Sequence, residues 1–399
     1  MSKGKKGTIG ILTGGGDVPG LNPAIRAVTL RALREGFDVV GIRRGWAGLV
    51  ELQRDEEADN SSCWLTLTEE LVNSQMNVGG TFLHSSRTRP SAVPLKDVPA
   101  HLKRVYADEK NDLTPEVLAN LEHLGIDYLV PMGGDDTLSY GVELGRRGFP
   151  VVALPKTMDN DVPGTDYCMG FSTCVTRTIA LAQQLRSSAA SHERIVVLEV
   201  FGRYAGFTAL LPTLAGAAQR CVIPEWEFDV ERLTELLVAD RNAHPDNYAV
   251  CLVSEGALPE GGEMVFQGGE KDQYGHAKLG GIGERVSARI KELSAQFNGG
   301  RKIDMISMNL GYLVRSGAPD AVDCVVPTAY GNLAVGLILR GETGRMVALT
   351  DGKYGSVPIG EVVATKKVVD VARCYDTERY RPKYDGLAGL PMLVLGGAG

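Results

Sequence analysis

Residues 154–161 read Leu154-Pro155-Lys156-Thr157-Met158-Asp159-Asn160-Asp161. They follow an apolar, β-rich run at residues 149–154 and precede a turn at Pro163-Gly164. One ammonium, one hydroxyl, one amide and two carboxylates therefore sit on a loop at the end of a buried strand, where open α/β sheets hold their ligands. Asp159 and Asp161 are two apart, so in extended chain they point the same way and can share a charge or a metal. A polar connection closed by an Asx turn would use the same residue types. What separates the two readings is whether the chain supplies more loops of this kind.

It does. The run Thr8–Thr13 reads as a buried strand leading into Gly14-Gly15-Gly16-Asp17-Val18-Pro19-Gly20 and a helix over residues 22–34 that Gly36 stops. Strand, glycine turn and helix form a phosphate-cradling arrangement, although tight strand–helix packing also explains a glycine cluster. The spacing is neither the Walker pattern nor Gly-x-Gly-x-x-Gly. Gly79-Gly80-Thr81-Phe82-Leu83-His84-Ser85-Ser86-Arg87 is a second such loop. A strand over residues 127–132 runs into a third, Gly133-Gly134-Asp135-Asp136-Thr137, where one of the two acids could be a helix N-cap. Further strands are expected at residues 37–42, Ile195–Val200, 248–253, 306–310 and 346–349. Helices are expected at residues 114–124, 173–187, from 230, 283–297 and from beyond 320 to 339. Residues 91–112 read as a surface helix with connections, residues 261–275 as a mobile surface segment, and the C-terminal stretch as a polar tail. Strands alternating with helices argue an α/β fold with a mainly parallel sheet covered on both faces.

At 399 residues with 44% hydrophobic content, the chain can bury a large core and is expected to split into two lobes. The net charge of −7 leaves no footprint for nucleic acid. The basic start is followed by too short an apolar run for a signal peptide, and no run is read as long enough to span a membrane. Seven cysteines without a Cys-x-x-Cys pair indicate neither a disulfide framework nor zinc. The expectation is a cytoplasmic protein without membrane or nucleic-acid partners.

Carboxylates for magnesium, glycine backbones and cations for phosphate oxygens, and an acid to accept a hydroxyl proton together suit phosphoryl transfer. No Gly-x-Ser-x-Gly elbow and no dinucleotide fingerprint compete with that reading. The ordered motifs at residues 14–22, 80–83, 133–136, 155–161, 202–204 and 311–315 resemble those of the bacterial-type 6-phosphofructokinases, over nearly the whole chain up to about Arg345. The resemblance implies two α/β lobes with the active site in the cleft between them. One comprises residues 1–170 with 314–364 and binds the phosphoryl donor and Mg2+; the other comprises residues 171–313 with 365–399 and binds fructose 6-phosphate.

By motif position, Asp159 would be the general base on the sugar 1-hydroxyl. Thr157 and Met158 would lie beside the sugar with Asp161, which would also support the site near the metal, and Asp135 would be the magnesium ligand. Gly15 and Gly16 would line the donor site, and Arg87 would face the transferred phosphoryl group. Phe201, Gly202, Arg203, Glu255, Tyr312 and Arg315 would complete the sugar-phosphate pocket, while Glu255, Arg203 and Arg315 would also suit a solvated surface. Arg194 would reach the 6-phosphate of a neighbouring subunit in a homodimer or tetramer. Tyr312 stands where the family often has histidine, and no arginine lies between Arg301 and Gly311, where a second such arginine is frequent. His276 has no assigned role, and Trp46 is read as packing.

ATP-using relatives carry glycine where this chain has Asp136, whose carboxylate would crowd and repel a nucleotide α-phosphate by on the order of several kcal/mol. Lys156 can neutralise the leaving phosphate. The pair resembles the pyrophosphate-dependent branch, which implies reversible formation of fructose 1,6-bisphosphate and phosphate in glycolysis and gluconeogenesis. The alternatives are an ATP-dependent phosphofructokinase, a member of the NAD kinase and diacylglycerol kinase group, and a non-catalytic regulatory subunit that binds sugar phosphate.

Overall fold

The computed structural model describes residues 6–264, 266–271, 277–386 and 388, and these divide into two compact units. The first comprises Met1–Thr157, Val162–Gly170 and Ser316–Lys366; the second comprises Met158–Asp161, Phe171–Arg315 and Lys367–Gly399. The polar stretch after the buried strand is thus where the chain passes from one unit to the other: Lys156 and Thr157 belong to the first, Met158 to Asp161 to the second.

The first unit is built on a seven-stranded sheet. Thr8–Thr13 lies near its middle, flanked by Asp38–Ile42 and Tyr128–Gly133, with Val152–Pro155 and Arg345–Thr350 beyond. These five run parallel, while the two edges, Trp64–Thr66 and Lys353–Pro358, are antiparallel. Every residue of Thr8–Thr13 is buried, as expected of a central strand covered on both faces. The helix Leu21–Glu35 ends at Gly36, which takes φ 92° and returns its N–H to the last-turn carbonyls of Ala32 and Leu33. It packs on Ala321–Leu339, where a Cβ on Gly331 would come within 2.7 Å of the Ala27 side chain. Ala321–Leu339 corrects the reading that no run reaches membrane-spanning length, since by length and composition it does. Half of that window is buried inside the protein, and the helix serves as a core element of the first unit.

The second unit carries a four-stranded parallel sheet in the order Met305–Asn309, Ile195–Val200, Ala249–Ser254, Arg220–Val222. Ile195 is in register with Ala249 and Met305, so the carboxyl ends of these strands lie side by side. The C-terminal stretch is not a free polar tail. Tyr375–Asp376 pairs with Arg381–Pro382, the Tyr375 hydroxyl donates to the Cys221 carbonyl at 2.7 Å, and Arg220 Nη1 donates to the Arg379 carbonyl at 2.6 Å. Arg220 also makes a two-pronged ion pair with Asp240 at 2.6 and 2.7 Å.

Two other expectations change. Residues 91–112 hold no α-helix: 3-10 turns at Pro90–Ala92 and Leu95–Asp97 surround the short pair Val93–Pro94 and Lys110–Asn111. The prolines at 90, 94 and 99 remove backbone donors and interrupt any helical ladder. Within the segment 261–275, expected to be a mobile surface stretch, Phe266–Lys271 is a strand that pairs antiparallel with Ala277–Leu279 just beyond it, while His276 lies outside the described residues.

Candidate active site

The first unit gathers the donor-side candidates around Thr8–Thr13. The loop after that strand is laced to residues 78–86: Gly15 N–H donates to the Ser86 carbonyl at 2.8 Å, Ser85 Oγ donates to the Gly15 carbonyl at 2.5 Å, and Asn22 Nδ2 donates to the Val78 carbonyl at 2.8 Å. Arg87 follows Ser86 directly and is exposed. Lys156 is buried at 4% exposure, and its Nζ donates to the Gly16 carbonyl at 2.6 Å. A Cβ on Gly15, which has φ 76°, would lie 3.4 Å from that ammonium. Lys156 is thus held against the very glycine turn that could cradle an anion.

The glycines of these loops divide by cause. A Cβ on Gly14 or Gly133 would come within 2.5 or 2.3 Å of the Thr137 side chain, so packing alone requires glycine at both positions. Gly15 is set by its left-handed backbone instead. The N-cap of the helix Asp135–Arg146 is Gly134, which corrects the reading of an aspartate there. Asp135 and Asp136 occupy the exposed first turn, and the Asp135 carboxylate accepts the Asp136 N–H at 2.9 Å. Trp46 is buried at 1% exposure edge-on to Tyr140, 4.7 Å between ring centroids, in keeping with a packing role.

Among the described residues, no group of three or more His, Cys, Asp or Glu side chains could hold a metal by itself. Mg2+ keeps several waters and takes one or two protein carboxylates together with substrate phosphates. Exposed Asp135 fits such an ion; a zinc-type cage is not what these residues offer.

The second unit gathers the acceptor-side candidates at the carboxyl ends of its parallel strands. Glu255 N–H donates to the Val200 carbonyl at 2.9 Å and Gly256 N–H to the Gly202 carbonyl at 3.1 Å, so residues 201–203 and 254–256 interlock through the backbone. A Cβ on Gly256 would sit 2.0 Å from the Arg203 carbonyl oxygen, and Gly202 takes φ 120°. These two glycines place Arg203 beside Glu255. The far side of the loop is fixed by the carboxylate of Glu225, which accepts from Gly206 N–H at 3.0 Å and Val369 N–H at 2.8 Å. Arg315 lies against two rings, with its guanidinium carbon 5.7 Å from the Phe201 centroid and 5.5 Å from that of Tyr312. This gives Tyr312 a use in place of the histidine's hydrogen bond: it helps orient Arg315 by cation–π attraction.

Asp159 joins this cluster. Asn160 beside it takes φ 56°, a conformation asparagine tolerates better than most residues, and is buried. Burial, then the charges of Asp161 and Glu255, raise the Asp159 carboxyl well above the ordinary range; the Arg203 N–H and the Arg315 charge oppose them. Burial likewise pushes Glu255 up to about 7 against the opposing pull of Arg203 and Arg315. A carboxylate with raised proton affinity, near the Arg315 charge, suits a base working on a bound hydroxyl near an anionic group.

Arg194 is not brought to this cluster. It immediately precedes Ile195, at the amino end of a six-residue strand whose carboxyl end leads to Arg203. Glu255 lies past the same end of the neighbouring strand, so about 20 Å of sheet separates the two.

One residue among these loops was passed over in the sequence. Glu199 is 2% exposed inside Ile195–Val200, and its carboxylate accepts four N–H contacts from Gly281, Gly283 and Asn309. An acid inside a run reading Ile-Val-Val-Leu-Glu-Val was the available signal, because a charged side chain is seldom fully buried without partners.

Two α/β units, one with an ammonium and acids around a glycine turn and the other with carboxylates and arginines at strand ends, define a phosphotransferase-like protein. Residues 8–338 match the family model described as Phosphofructokinase. Over 371 residues, 93% of this chain, it is 36% identical to the ATP-dependent 6-phosphofructokinase 3 of Streptomyces coelicolor, covering 98% of that protein. It is 37% identical to the pyrophosphate–fructose 6-phosphate 1-phosphotransferase of Amycolatopsis mediterranei, again over 93% of this chain and 98% of the relative. The solved pyrophosphate-dependent phosphofructokinase from Marinobacter aquaeolei superposes with a TM-score of 0.72 at 20% identity, covering 98% of this chain and 92% of that one, which speaks for the fold. The chain belongs to the phosphofructokinase family.

Proposed function

We propose that this enzyme transfers a phosphoryl group from pyrophosphate to the 1-hydroxyl of fructose 6-phosphate, reversibly, with Mg2+ bound at Asp135. The sugar oxygen forms a bond to the terminal phosphorus while the bridging P–O bond breaks. Asp159 takes the hydroxyl proton and orthophosphate leaves. Magnesium, when bound, neutralises phosphate charge. Lys156 holds a positive charge at the glycine turn for the departing phosphate, and Arg87 faces the group in transit. In the acceptor pocket, Thr157, Met158 and Asp161 line the sugar, and Arg203, Arg315 and Glu255 bind it with Phe201, Gly202 and Tyr312.

The observation that carries the choice of donor is Asp136. It stands exposed in the first helical turn after Gly133-Gly134, where its carboxylate would crowd and repel the α-phosphate of a nucleotide donor. Relatives at 36–37% identity carry both donor names, so ATP is the specific rival. Initial rates with fructose 6-phosphate, Mg2+ and either pyrophosphate or ATP test the assignment. A rate with pyrophosphate and little with ATP is expected, and Asp136→Gly should raise ATP use. Efficient ATP use by the unmodified enzyme would overturn it.

Arg194 lies too far from Glu255 to serve its own pocket, which favours action on the 6-phosphate bound by another copy in a homodimer or tetramer. Specific activity should then fall on dilution below the dissociation constant of the subunits. Constant activity through dissociation to monomers would refute the trans role.

A further inference from the structure

We infer that Glu199 is a positioning residue for the acceptor pocket: by taking the Asn309 amide and the Gly281 and Gly283 N–H groups, it fixes the loop that presents Tyr312 and Arg315. The inference rests on the reading of residues 201–203, 255 and 312–315 as the sugar-phosphate site.

Three observations support it. Glu199 lies on an inner strand of the four-stranded sheet, and its carboxylate bridges to two other pieces of chain. Oε1 accepts Asn309 Nδ2 at 2.6 Å; Oε2 accepts Gly283 N–H at 2.8 Å and Gly281 N–H at 3.0 Å. Its own carbonyl accepts the Leu310 N–H at 2.9 Å. Asn309 and Leu310 are the last two residues before the turn Gly311–Val314, so both main-chain and side-chain groups of Glu199 hold the root of the loop carrying Tyr312 and Arg315.

The second observation concerns space. A Cβ on Gly283 would approach Glu199 Cβ to 2.9 Å and Oε2 to 3.2 Å, so glycine there lets the backbone close on the carboxylate. The third concerns chemistry. Among the described residues, the donors to this buried acid are all uncharged N–H groups. A buried carboxylate without a cation is costly to keep, so an arrangement satisfying it from three separate residues is a committed geometry. Its charge is also among those that raise the neighbouring Glu255, which couples it to the pocket electrostatically.

A purely structural acid capping the helix Ile282–Phe297 would use Gly281 and Gly283 but would have no need of Asn309. Asn309→Asp therefore separates the two roles. It opposes a second carboxylate to Glu199 at an exposed residue while leaving the helix contacts in place. Adding Glu199→Gln restores the pairing with its polarity reversed, because the glutamine amide donates to the carboxylate introduced by the first substitution while its oxygen still accepts from the glycines. Steady-state kinetics of the full-length enzyme should show KM for fructose 6-phosphate raised about tenfold or more in Asn309→Asp, the loss expected for a broken charge-assisted hydrogen bond. The double variant should recover most of it, with KM for the phosphoryl donor unchanged throughout. An unchanged sugar KM in Asn309→Asp, no recovery in the double variant, or an equal rise in donor KM would each overturn the inference. Arg203→Ala is measured alongside. If it raises KM for fructose 6-phosphate while Asn309→Asp does not, the role of Glu199 alone fails; if it leaves that KM unchanged, the pocket assignment fails and the inference with it.

Discussion

Glu255 offers a way to read the acceptor cluster through stability rather than turnover. Burial raises its carboxyl from an ordinary value of 4.5 up to about 7, with Arg203 and Arg315 opposing the rise and Glu199 adding to it. The folded chain therefore holds this proton more tightly than the unfolded chain does. The resulting stabilisation is fully present below 4.5 and is lost as the pH rises through about 7. At 1.36 kcal/mol per pH unit, the difference amounts to about 3 kcal/mol. Glu255→Gln keeps the shape of the side chain and removes the titration. Unfolding free energies from urea titrations of both proteins should show the unmodified enzyme losing about 3 kcal/mol relative to the variant between roughly pH 4.5 and 8. A gap that stays constant to within about 1 kcal/mol over that range would refute the placement of Glu255 as a half-buried, desolvated acid among these loops.

Asp159→Asn should lower kcat by a factor on the order of 10²–10⁴ with little change in sugar KM, the usual size of a general-base contribution; near-normal turnover would remove Asp159 from that role. Because its proton affinity is raised, activity of the unmodified enzyme should also fall on the acid side at a higher pH than an ordinary aspartate would give, as a pH–rate profile will show. Asp240→Ala strands the Arg220 guanidinium, whose side chain is 9% exposed. It should cost about 3–5 kcal/mol in chemical unfolding, and residues near Arg379, whose carbonyl Arg220 also holds, should exchange amide protons faster. A loss below about 1 kcal/mol would mean that the pair behaves as an exposed one.

The chain's strands and helices were largely legible because their signals are local. Thr8–Thr13 and Ile195–Val200 are continuous apolar runs bounded by glycine or charge, and the structure gives both with the boundaries read from sequence. The long helices were found to within a few residues by their periodicity and by stop signals such as Gly36. Where local signals misled, the prolines of residues 90–99 had been outweighed by charge, the strand Arg220–Val222 carries too few residues for a pattern, and the edge strand Lys353–Pro358 is largely exposed and has no apolar run. The chemistry-bearing loops were legible for the same reason as the strands, since glycines and acids stand immediately after them.

Sequence by itself therefore determined the α/β class, the loop inventory and the family, all properties of residue order. Tertiary structure decided what depends on distance through space. It divided the glycines between packing, as at Gly14 and Gly133 against Thr137, and backbone conformation, as at Gly15 and Gly202. It put Lys156 on the Gly16 carbonyl, 140 residues away in the chain, and set Arg315 against the rings of Phe201 and Tyr312. Above all it buried Glu199 and drew Asp159 and Glu255 largely out of water. The affinity of a carboxyl for its proton is set by the water removed from around it and the charges brought near, and neither is written in the order of residues.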